Sequence, residues 1–208
     1  MTRKPFGLRG VLADYLGTAI ALAVLVLIFS LSTEHFFSRA TFTTIANQIP
    51  SAILIATGMT YILIIAEIDL SVGSVLGLCG AVAGICLVKF QWPLWLAAAC
   101  ALAVGLSCGA FNGLVSIHWR LPSFIVTLGM LEMARGGAHF VTNSQTQYIG
   151  SAVAAIAETS FLGLSLPFLL AVILVGGAQL VLARTVFGRY MVAIGTNEEV
   201  VRLSGMGL

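Results

Sequence analysis

Uncharged, mostly apolar stretches alternate with short polar segments along most of the 208-residue chain. Several of these stretches approach or exceed the roughly 20 residues that a helix needs to cross a bilayer. The pattern therefore predicts an all-α, polytopic membrane protein with about six transmembrane helices. The predicted helices cover residues 15–33, 45–66, 70–88, 94–117, 122–141 and 161–183.

The composition also indicates a membrane protein. Hydrophobic residues make up 59% of the chain and charged residues only 9%, with a mean hydropathy of +1.05. A soluble domain carries about 25% charged residues. We expect a single transmembrane domain over residues 1–208, with a cytoplasmic tail at 1–14, the helices within 15–183 and a cytoplasmic segment at 184–208. The first apolar stretch is too long for a signal peptide, and no small-residue cleavage site follows it.

The basic residues predict the orientation of the chain. If the N-terminus is cytoplasmic and six helices follow, the outer loops hold only Arg39 and Lys89. The cytoplasmic segments then hold Arg3, Lys4, Arg9, Arg120, Arg184, Arg189 and Arg202. This excess satisfies the positive-inside rule and predicts that both ends lie in the cytoplasm.

Two carboxylates, Glu67 and Asp69, interrupt the apolar pattern between the second and third predicted helices, in the stretch IAEIDLSVGSVLG. Asp69 and Ser71 are residue types that cap helix N-termini, and carboxylates are favoured at the positive end of a helix dipole. One interpretation is a capped break between two helices. The other is that the polar groups of this break line a solute path, because ionisable residues within a membrane are functional candidates.

Three further polar residues lie inside predicted helices. Glu132 and Arg135 are three residues apart on the fifth helix, so they share a face and can form an intramembrane ion pair. A proton relay is the weaker alternative for this pair. Asn112, which lies near glycines on the fourth helix, can bond to a neighbouring helix or to a solute.

Glycines recur on one face of the third and fourth predicted helices. The residues are Gly73, Gly77, Gly80, Gly84, Gly105, Gly109 and Gly113. Small residues at steps of three and four let helix backbones approach closely in lipid. These stripes therefore predict tight helix–helix contacts, with a ligand cleft as the alternative.

The four cysteines, Cys79, Cys86, Cys100 and Cys108, lie in apolar stretches and form no CxxC pair. They predict free thiols in helix packing rather than disulfides or metal ligands. The chain also contains no P-loop motif and no HExxH motif, so it cannot bind ATP through a P-loop. We therefore expect no catalytic residue, no metal and no cofactor.

The last segment, GRYMVAIGTNEEVVRLSG, predicts a short helix that Asn197 caps and Gly205 ends, with Glu198 and Glu199 in its first turn. Its apolar residues are Val200, Val201 and Leu203. A helix this short is stable only when it is docked. It is either a docking helix for a cytoplasmic partner or a helix that lies flat on the membrane surface.

Four segments of the chain resemble the permease subunits of bacterial monosaccharide ABC importers of the ribose, xylose and galactose type. They are IDLSVGS at 68–74, FNGLV at 111–115, LPSFIVTLGMLEMARGGAHFVT at 121–142 and TVFGRYMVAIGTNEEVVRLSGM at 185–206. Their order and spacing also match, and the resemblance covers most of the chain from about residue 40.

The resemblance implies a multi-pass permease in the bacterial plasma (inner) membrane that is not itself an enzyme. Its implied partners are cytoplasmic ATP-binding subunits, a second permease subunit, a periplasmic or lipid-anchored sugar-binding protein and membrane lipid, with no nucleic acid. ATP hydrolysis on the partner subunits would drive alternating access of a central path.

The resemblance also implies roles for individual residues. Six residues would lie on or near the substrate path: Glu67, Asp69, Ser71, Gly73, Asn112 and Thr127. A coupling segment would dock the ATPase through Gly188, Asn197, Glu198, Glu199, Val200, Val201, Arg202 and Leu203. Within that segment the glutamates and the arginine would be polar contacts, and the valines and the leucine would form the buried face.

The chain departs from the family in two ways. Many members have Gly where this chain has Glu67, so we expect the extra carboxylate to alter the path or its substrate preference. The family's permeases continue beyond the coupling segment, so we expect this chain to be an incomplete permease. Two other hypotheses stay open: an ion- or proton-coupled secondary transporter that uses Glu67, Asp69, Glu132 and Arg135, and a truncated fragment that does not transport.

Overall fold

The computed structural model describes residues 8–150, 153, 160–161, 164–197 and 201–202. The helices of these residues are α1 (Leu8–Ser32), α2 (Arg39–Gln48), α3 (Pro50–Ile64), α4 (Val72–Val88), α5 (Leu94–Trp119), α6 (Ser123–Thr142), α7 (Leu166–Arg184) and α8 (Val186–Thr196). A short antiparallel pairing joins β1 (Ser160–Phe161) to β2 (Leu164–Ser165). The chain is therefore predominantly helical, as the apolar pattern predicts.

Four predicted boundaries are wrong. The first helix begins at Leu8, inside the predicted tail at 1–14, and not at residue 15. The predicted helix at 45–66 is two helices, α2 and α3, and Pro50 is the first residue of α3, where its missing N–H costs no hydrogen bond. The predicted helix at 161–183 begins only at Leu166, because the β pairing precedes it. The polar segment after 184 begins with a separate helix, α8, which the sequence analysis did not predict.

Fewer helices than predicted meet the requirements for a membrane span. Among the described residues, α5 and α7 are long and apolar enough, and the successive helices α2 and α3 add a third candidate if they form one bent span. Residues Leu16–Ser32 and α4 are apolar but shorter. The surface is largely apolar: Leu102, Leu106 and Ile117 on α5 are 68%, 74% and 74% exposed.

The described chain forms two compact units. The first, Met1–Ala46, contains α1 and most of α2, and Phe36 joins two aromatic contacts with centroid distances of 6.1 Å to Phe29 and 5.1 Å to Phe37. The second, Asn47–Leu208, contains two sets of packed helices. In one set α4, α5 and α6 contact one another, and in the other α3, α7 and α8 do so.

The glycine stripes contribute less to helix packing than predicted. A Cβ added at Gly84 would lie 3.4 Å from Gln147, and one at Gly105 would lie 3.3 Å from the Cys79 sulfur. The remaining stripe residues, Gly73, Gly77, Gly80, Gly109 and Gly113, have no neighbour within 4 Å of such an atom. The prediction of tight contacts along the whole stripe is therefore wrong for the described chain, because only two of these glycines face another segment.

The cysteines lie at the contact between α4 and α5. All four are free thiols, and Cys86 is buried. Cys79 on α4 lies against the middle of α5, where a Cβ added at Gly105 would be 3.3 Å from its sulfur, and Cys86 further along α4 interacts with Cys100 earlier on α5. These contacts are consistent with an antiparallel arrangement of α4 and α5, because the later residue of α4 meets the earlier residue of α5.

Candidate functional site

The candidate site is built on the loop 65–71 between α3 and α4, the stretch that carries both carboxylates. α3 ends in a Schellman motif, in which the amide of Ala66 donates to the Leu63 carbonyl at 3.0 Å and that of Glu67 to the Ile62 carbonyl at 3.1 Å. Ala66 has φ 62°, the left-handed conformation in which glycine is usual. This turn directs the chain away from the α3 axis, so that residues 67–69 lie beside the start of α4.

Ala66→Gly is expected to stabilise the protein by about 0.5–1 kcal/mol, because glycine has no Cβ to clash in the left-handed region. The measurement is the thermal midpoint of the detergent-solubilised protein, which should rise by about 1–4 °C. Ala56→Gly within α3 is the matched control and should instead destabilise by about 1 kcal/mol. Shifts of the same sign in both variants would contradict the role assigned to Ala66.

Asp69 organises the turn into α4. Its Oδ1 accepts the Ser71 backbone N–H at 2.7 Å and the Ser71 hydroxyl at 2.6 Å. Ser71 occupies the N-cap position, but its side chain makes no capping hydrogen bond. The expectation that Ser71 caps α4 through its oxygen is therefore wrong, because its hydroxyl donates to Asp69. Both carboxylates lie at the N-terminal end of α4, where the helix dipole favours negative charge.

The N-terminal turns of α6 hold the loop from its other side. Ser123 donates its hydroxyl to the Glu67 carboxylate and accepts the Ile68 amide at 3.2 Å. Thr127, 3% exposed, accepts the Leu70 amide at 3.1 Å. Sequence analysis named Thr127 but missed Ser123. The available signal was the placement of Ser123 and Thr127 one helical turn apart at the start of α6, so that both face the same neighbour.

Asn112 on α5 completes the cluster. Its side-chain amide donates to the Ser71 hydroxyl at 3.2 Å, and the residue is 7% exposed. Within the described part of the chain its Oδ1 is buried and has no hydrogen-bond partner. A buried acceptor without a donor is unusual, so this oxygen retains hydrogen-bonding capacity beyond the contact of Asn112 with Ser71.

The structure thus brings together five of the six residues named for the substrate path: Glu67, Asp69, Ser71, Asn112 and Thr127. Glu67 is exposed and Asp69 is half-buried, whereas Ser71, Asn112 and Thr127 are buried. The sixth, Gly73, lies in the first turn of α4 and has open space around it. The cluster offers hydrogen-bond donors and acceptors, which suits recognition of a hydroxylated solute.

Glu132 and Arg135 lie further along α6, and within the described part of the chain neither is hydrogen-bonded to this cluster. Arg135 Nη1 lies 3.3 Å from Glu132 Oε1, with the two side chains 60% and 66% exposed. Each residue therefore has the other as its charge partner on the same helix face.

Ser107 lies in GLSCG, a G-x-S-x-G pattern at 105–109, but it is not at a nucleophile elbow. The pattern falls within the continuous helix α5, and the Ser107 hydroxyl donates to the Ala103 carbonyl at 2.7 Å. A nucleophile elbow requires a sharp turn between a strand and a helix. Among the described residues, no group of three or more His, Cys, Asp or Glu residues could hold a metal.

A second polar feature, also missed by sequence analysis, lies between α3 and α7. A cleft of about 150 Å³ is lined by Thr57, Thr60, Tyr61 and Gln179 among others. The Thr57 and Thr60 hydroxyls donate to carbonyls of their own helix, at 2.7 and 2.8 Å. Threonine can form such bonds in any apolar helix. The presence of Thr57 and Thr60 in the sequence therefore does not predict a cleft.

The predicted coupling segment is described in part. Thr185 caps α8 by accepting the Gly188 amide at 3.2 Å, and Gly188 lies so close to Leu182 that an added Cβ would be 2.0 Å from that carbonyl oxygen. Asn197 follows α8 in an extended conformation, and its carbonyl accepts the Val201 amide at 3.3 Å. Glu198, Glu199, Val200 and Leu203 lie outside the described residues.

The surroundings of Val201 differ from the expectation that a partner covers this residue. It is 5% exposed within the chain itself, whereas Arg202 is exposed. Val201 therefore anchors the segment to its own chain.

Comparison with known proteins identifies the family. The model of a family described as the permease component of branched-chain amino acid transport systems matches residues 41–207. The chain belongs to this permease family. The matched region contains loop 65–71 and the residues of α5 and α6 that bond to it. It also contains α8 and most of the segment that follows α8.

Curated relatives of this permease have names that refer to sugars. It is 34% identical to the ribose import permease of Haemophilus influenzae over 194 residues, which cover 91% of this chain and 60% of that protein. It is 30% identical to the xylose transport system permease of Escherichia coli, over 90% of this chain and 64% of that protein. The fructose import permease of Rhizobium meliloti is also 30% identical, over 83% of this chain and 51% of that protein.

This permease therefore spans about 60% of the length of the first curated relatives it matches. No solved structure matches it.

Proposed function

We propose that the chain is a transmembrane permease subunit of an ATP-driven sugar importer in the bacterial inner membrane. The similarity over about nine-tenths of the chain to ribose and xylose permeases carries this proposal. In it, Glu67, Asp69, Ser71, Gly73, Asn112 and Thr127 lie on or near the substrate path. The hydrogen-bonded cluster supports that role, because it presents carboxylate, hydroxyl and amide groups to a sugar.

The proposed topology has six spans with both termini cytoplasmic. The contacts of loop 65–71 support it: this loop follows α3 and precedes α4, yet it bonds to the first turns of α6 and to Asn112 near the end of α5. These helix ends lie together only if successive helices run in alternating directions. The same end carries Arg120, Arg184 and Arg189, which suits a cytoplasmic face.

The proposed partners are separate ATP-binding subunits, a second permease subunit and a sugar-binding protein. ATP would be hydrolysed on the ATP-binding subunits. The segment after α8 is the proposed docking site, with Glu198, Glu199 and Arg202 as polar contacts and Val200 and Leu203 as apolar contacts. Val201, Asn197 and Gly188 hold this segment in place on its own chain.

The proposed function is tested by sugar uptake in the chain's own host, with ribose and xylose as labelled solutes. Depletion of ATP should abolish uptake, and a protonophore that leaves ATP unchanged should not affect it. Uptake that the protonophore abolishes at constant ATP would contradict the proposal and favour a secondary transporter that uses Glu67, Asp69, Glu132 and Arg135. Absence of any sugar uptake would favour a non-transporting fragment.

The docking role is tested by Val200→Asp combined with Leu203→Asp. A carboxylate buried at an apolar contact costs several kcal/mol, so the two changes should weaken ATPase association by more than about a hundredfold. The measurement is the amount of ATP-binding subunit that co-purifies with the chain in mild detergent.

The matched control is Gln145→Asp with Thr146→Asp, which adds the same charge at two exposed positions after α6. It should leave the co-purified ATPase unchanged. Normal co-purification with the tail variant would show that the ATPase docks elsewhere.

A further inference from the structure

The end of α8 is in direct backbone contact with the end of α3. A Cβ added at Gly195 would lie 1.7 Å from the Ile64 carbonyl oxygen, 2.8 Å from the Ile64 carbonyl carbon and 3.2 Å from the Ile65 Cα. Real Cβ atoms essentially never approach other heavy atoms so closely, so only glycine allows this approach. Every atom on the α3 side of the contact belongs to the backbone, which cannot rotate away as a side chain can.

The α3 side of this contact leads directly into the candidate site. Ile64 is the last residue of α3, Ile65 is its C-cap, and Ala66 and Glu67 close the Schellman turn. The following residues are bonded to α6 and, through Ser71, to α5. A displacement of Ile64 therefore moves the loop relative to its anchors on these two helices.

The α8 side of the contact leads directly into the proposed docking segment. Gly195 is one residue from the end of α8, and the Asn197 amide continues the helical bonding by donating to the Ala193 carbonyl at 3.0 Å. The start of α8 is held at α7 by the Thr185 hydroxyl, which donates to the Val181 carbonyl at 2.5 Å, and by the close approach of Gly188 to Leu182. The helix α8 thus connects the end of α7 to the end of α3.

We propose that Gly195 is the positioning residue through which movement of the docking segment reaches loop 65–71. This inference rests on the proposed function, since a bound ATPase supplies the movement. Close packed contacts of this kind transmit small shifts, because protein interiors deform little. In this proposal α8 pivots about its N-terminal end, which is held at α7. Its C-terminal end then displaces the C-terminal end of α3.

Gly195→Ala tests this inference, and Gly176→Ala is its matched control. Gly176 lies on α7 with no neighbour within 4 Å of an added Cβ, so the control adds the same methyl group in open space. The assays use the complete transporter from the chain's own host. They record ATPase co-purification, ATP hydrolysis, and the maximal rate and KM of sugar uptake.

If Gly195 transmits the movement, its alanine variant retains the ATPase subunits and hydrolyses ATP within about twofold of the wild type. Its maximal uptake rate falls at least about tenfold while ATP hydrolysis is retained, because the displaced contact no longer passes the movement of the docking segment to loop 65–71. A merely structural lesion would instead lower assembly, hydrolysis and uptake together. Uptake equal to that of the Gly176→Ala control would overturn the inference.

A second measurement keeps glycine at position 195 and applies if the alanine variant does not accumulate. Ile68→Cys places a thiol on the loop at a side chain that is 48% exposed, and Phe140→Cys places one on the other end of α6 at an 85% exposed side chain. ATP should change the maleimide labelling rate at position 68 by at least about threefold and leave that at 140 unchanged, as expected for a moving loop. No response at position 68 would overturn the inference.

The wild-type arm separates this inference from the proposed function. If the wild-type transporter shows no ATP-dependent uptake, the proposed function fails and the inference fails with it. If wild-type uptake depends on ATP and Gly195→Ala behaves like its control, only the inference fails.

Discussion

Asp69→Ala is expected to lower sugar uptake by about tenfold or more, because a hydrogen bond to a charged group contributes roughly 1.5–3 kcal/mol. The substitution removes the acceptor of both the Ser71 amide and the Ser71 hydroxyl. Without that acceptor the turn into α4 loses two hydrogen bonds. The polar groups beside the proposed solute path are then no longer held in place.

Asp69→Asn separates the charge from the geometry of the turn. An amide oxygen can still accept both hydrogen bonds from Ser71, so we expect normal assembly and near-normal thermal stability. Uptake should nevertheless fall as in the alanine variant, because the negative charge beside the path is lost. Wild-type uptake in Asp69→Asn, together with loss of assembled protein in Asp69→Ala, would show that Asp69 only forms the turn.

Thr127→Val is expected to destabilise the protein by about 1–3 kcal/mol, although the two side chains have nearly the same shape. Valine cannot accept the Leu70 amide, which the Thr127 hydroxyl accepts at 3.1 Å, so a partly buried N–H loses its partner. The thermal midpoint in detergent should fall by about 2–10 °C. Sugar uptake should fall as well, since the loop loses one of its two anchors on α6.

Thr142→Val on the same helix is the matched control for this effect. The Thr142 hydroxyl donates to the Ala138 carbonyl at 2.8 Å, a local bond one turn back along the helix. Its loss leaves the backbone bonding of α6 intact, so the change in stability should stay within about 0.5 kcal/mol. Equal shifts for both variants would show that the contact between Thr127 and Leu70 does not hold the loop.

Local patterns were sufficient for the helical class and for the position of the break. The apolar runs predict helices because burial of the backbone in lipid requires internal hydrogen bonds. The boundaries of α5 and α6 differ from the predictions by no more than two residues. The error at α2 and α3 arose because the uncharged stretch 40–66 continues through Ile49 and Pro50, so that the absence of charge does not reveal the break.

Contacts between helices could not be predicted in the same way. The glycine stripes have the spacing of packed helices, yet most of these glycines face open space, because spacing identifies a face without identifying what lies opposite it. Gly195 carries no such spacing signal, and its contact with Ile64 depends on how α8 is placed against α3. The approach of Ser123 to Glu67 likewise depends on the rotation of α6.

The sequence by itself determined that this protein is helical and membrane-embedded, that two carboxylates interrupt it at residues 67 and 69, and that a polar segment follows the last long apolar run. These properties follow from composition and local periodicity, which act over a few turns of chain. Only the tertiary structure decided that Ser71, Asn112, Ser123 and Thr127 meet around that interruption and that Gly195 contacts the end of α3. Residues so far apart in sequence come together through the rotation and register of packed helices, which no local pattern specifies.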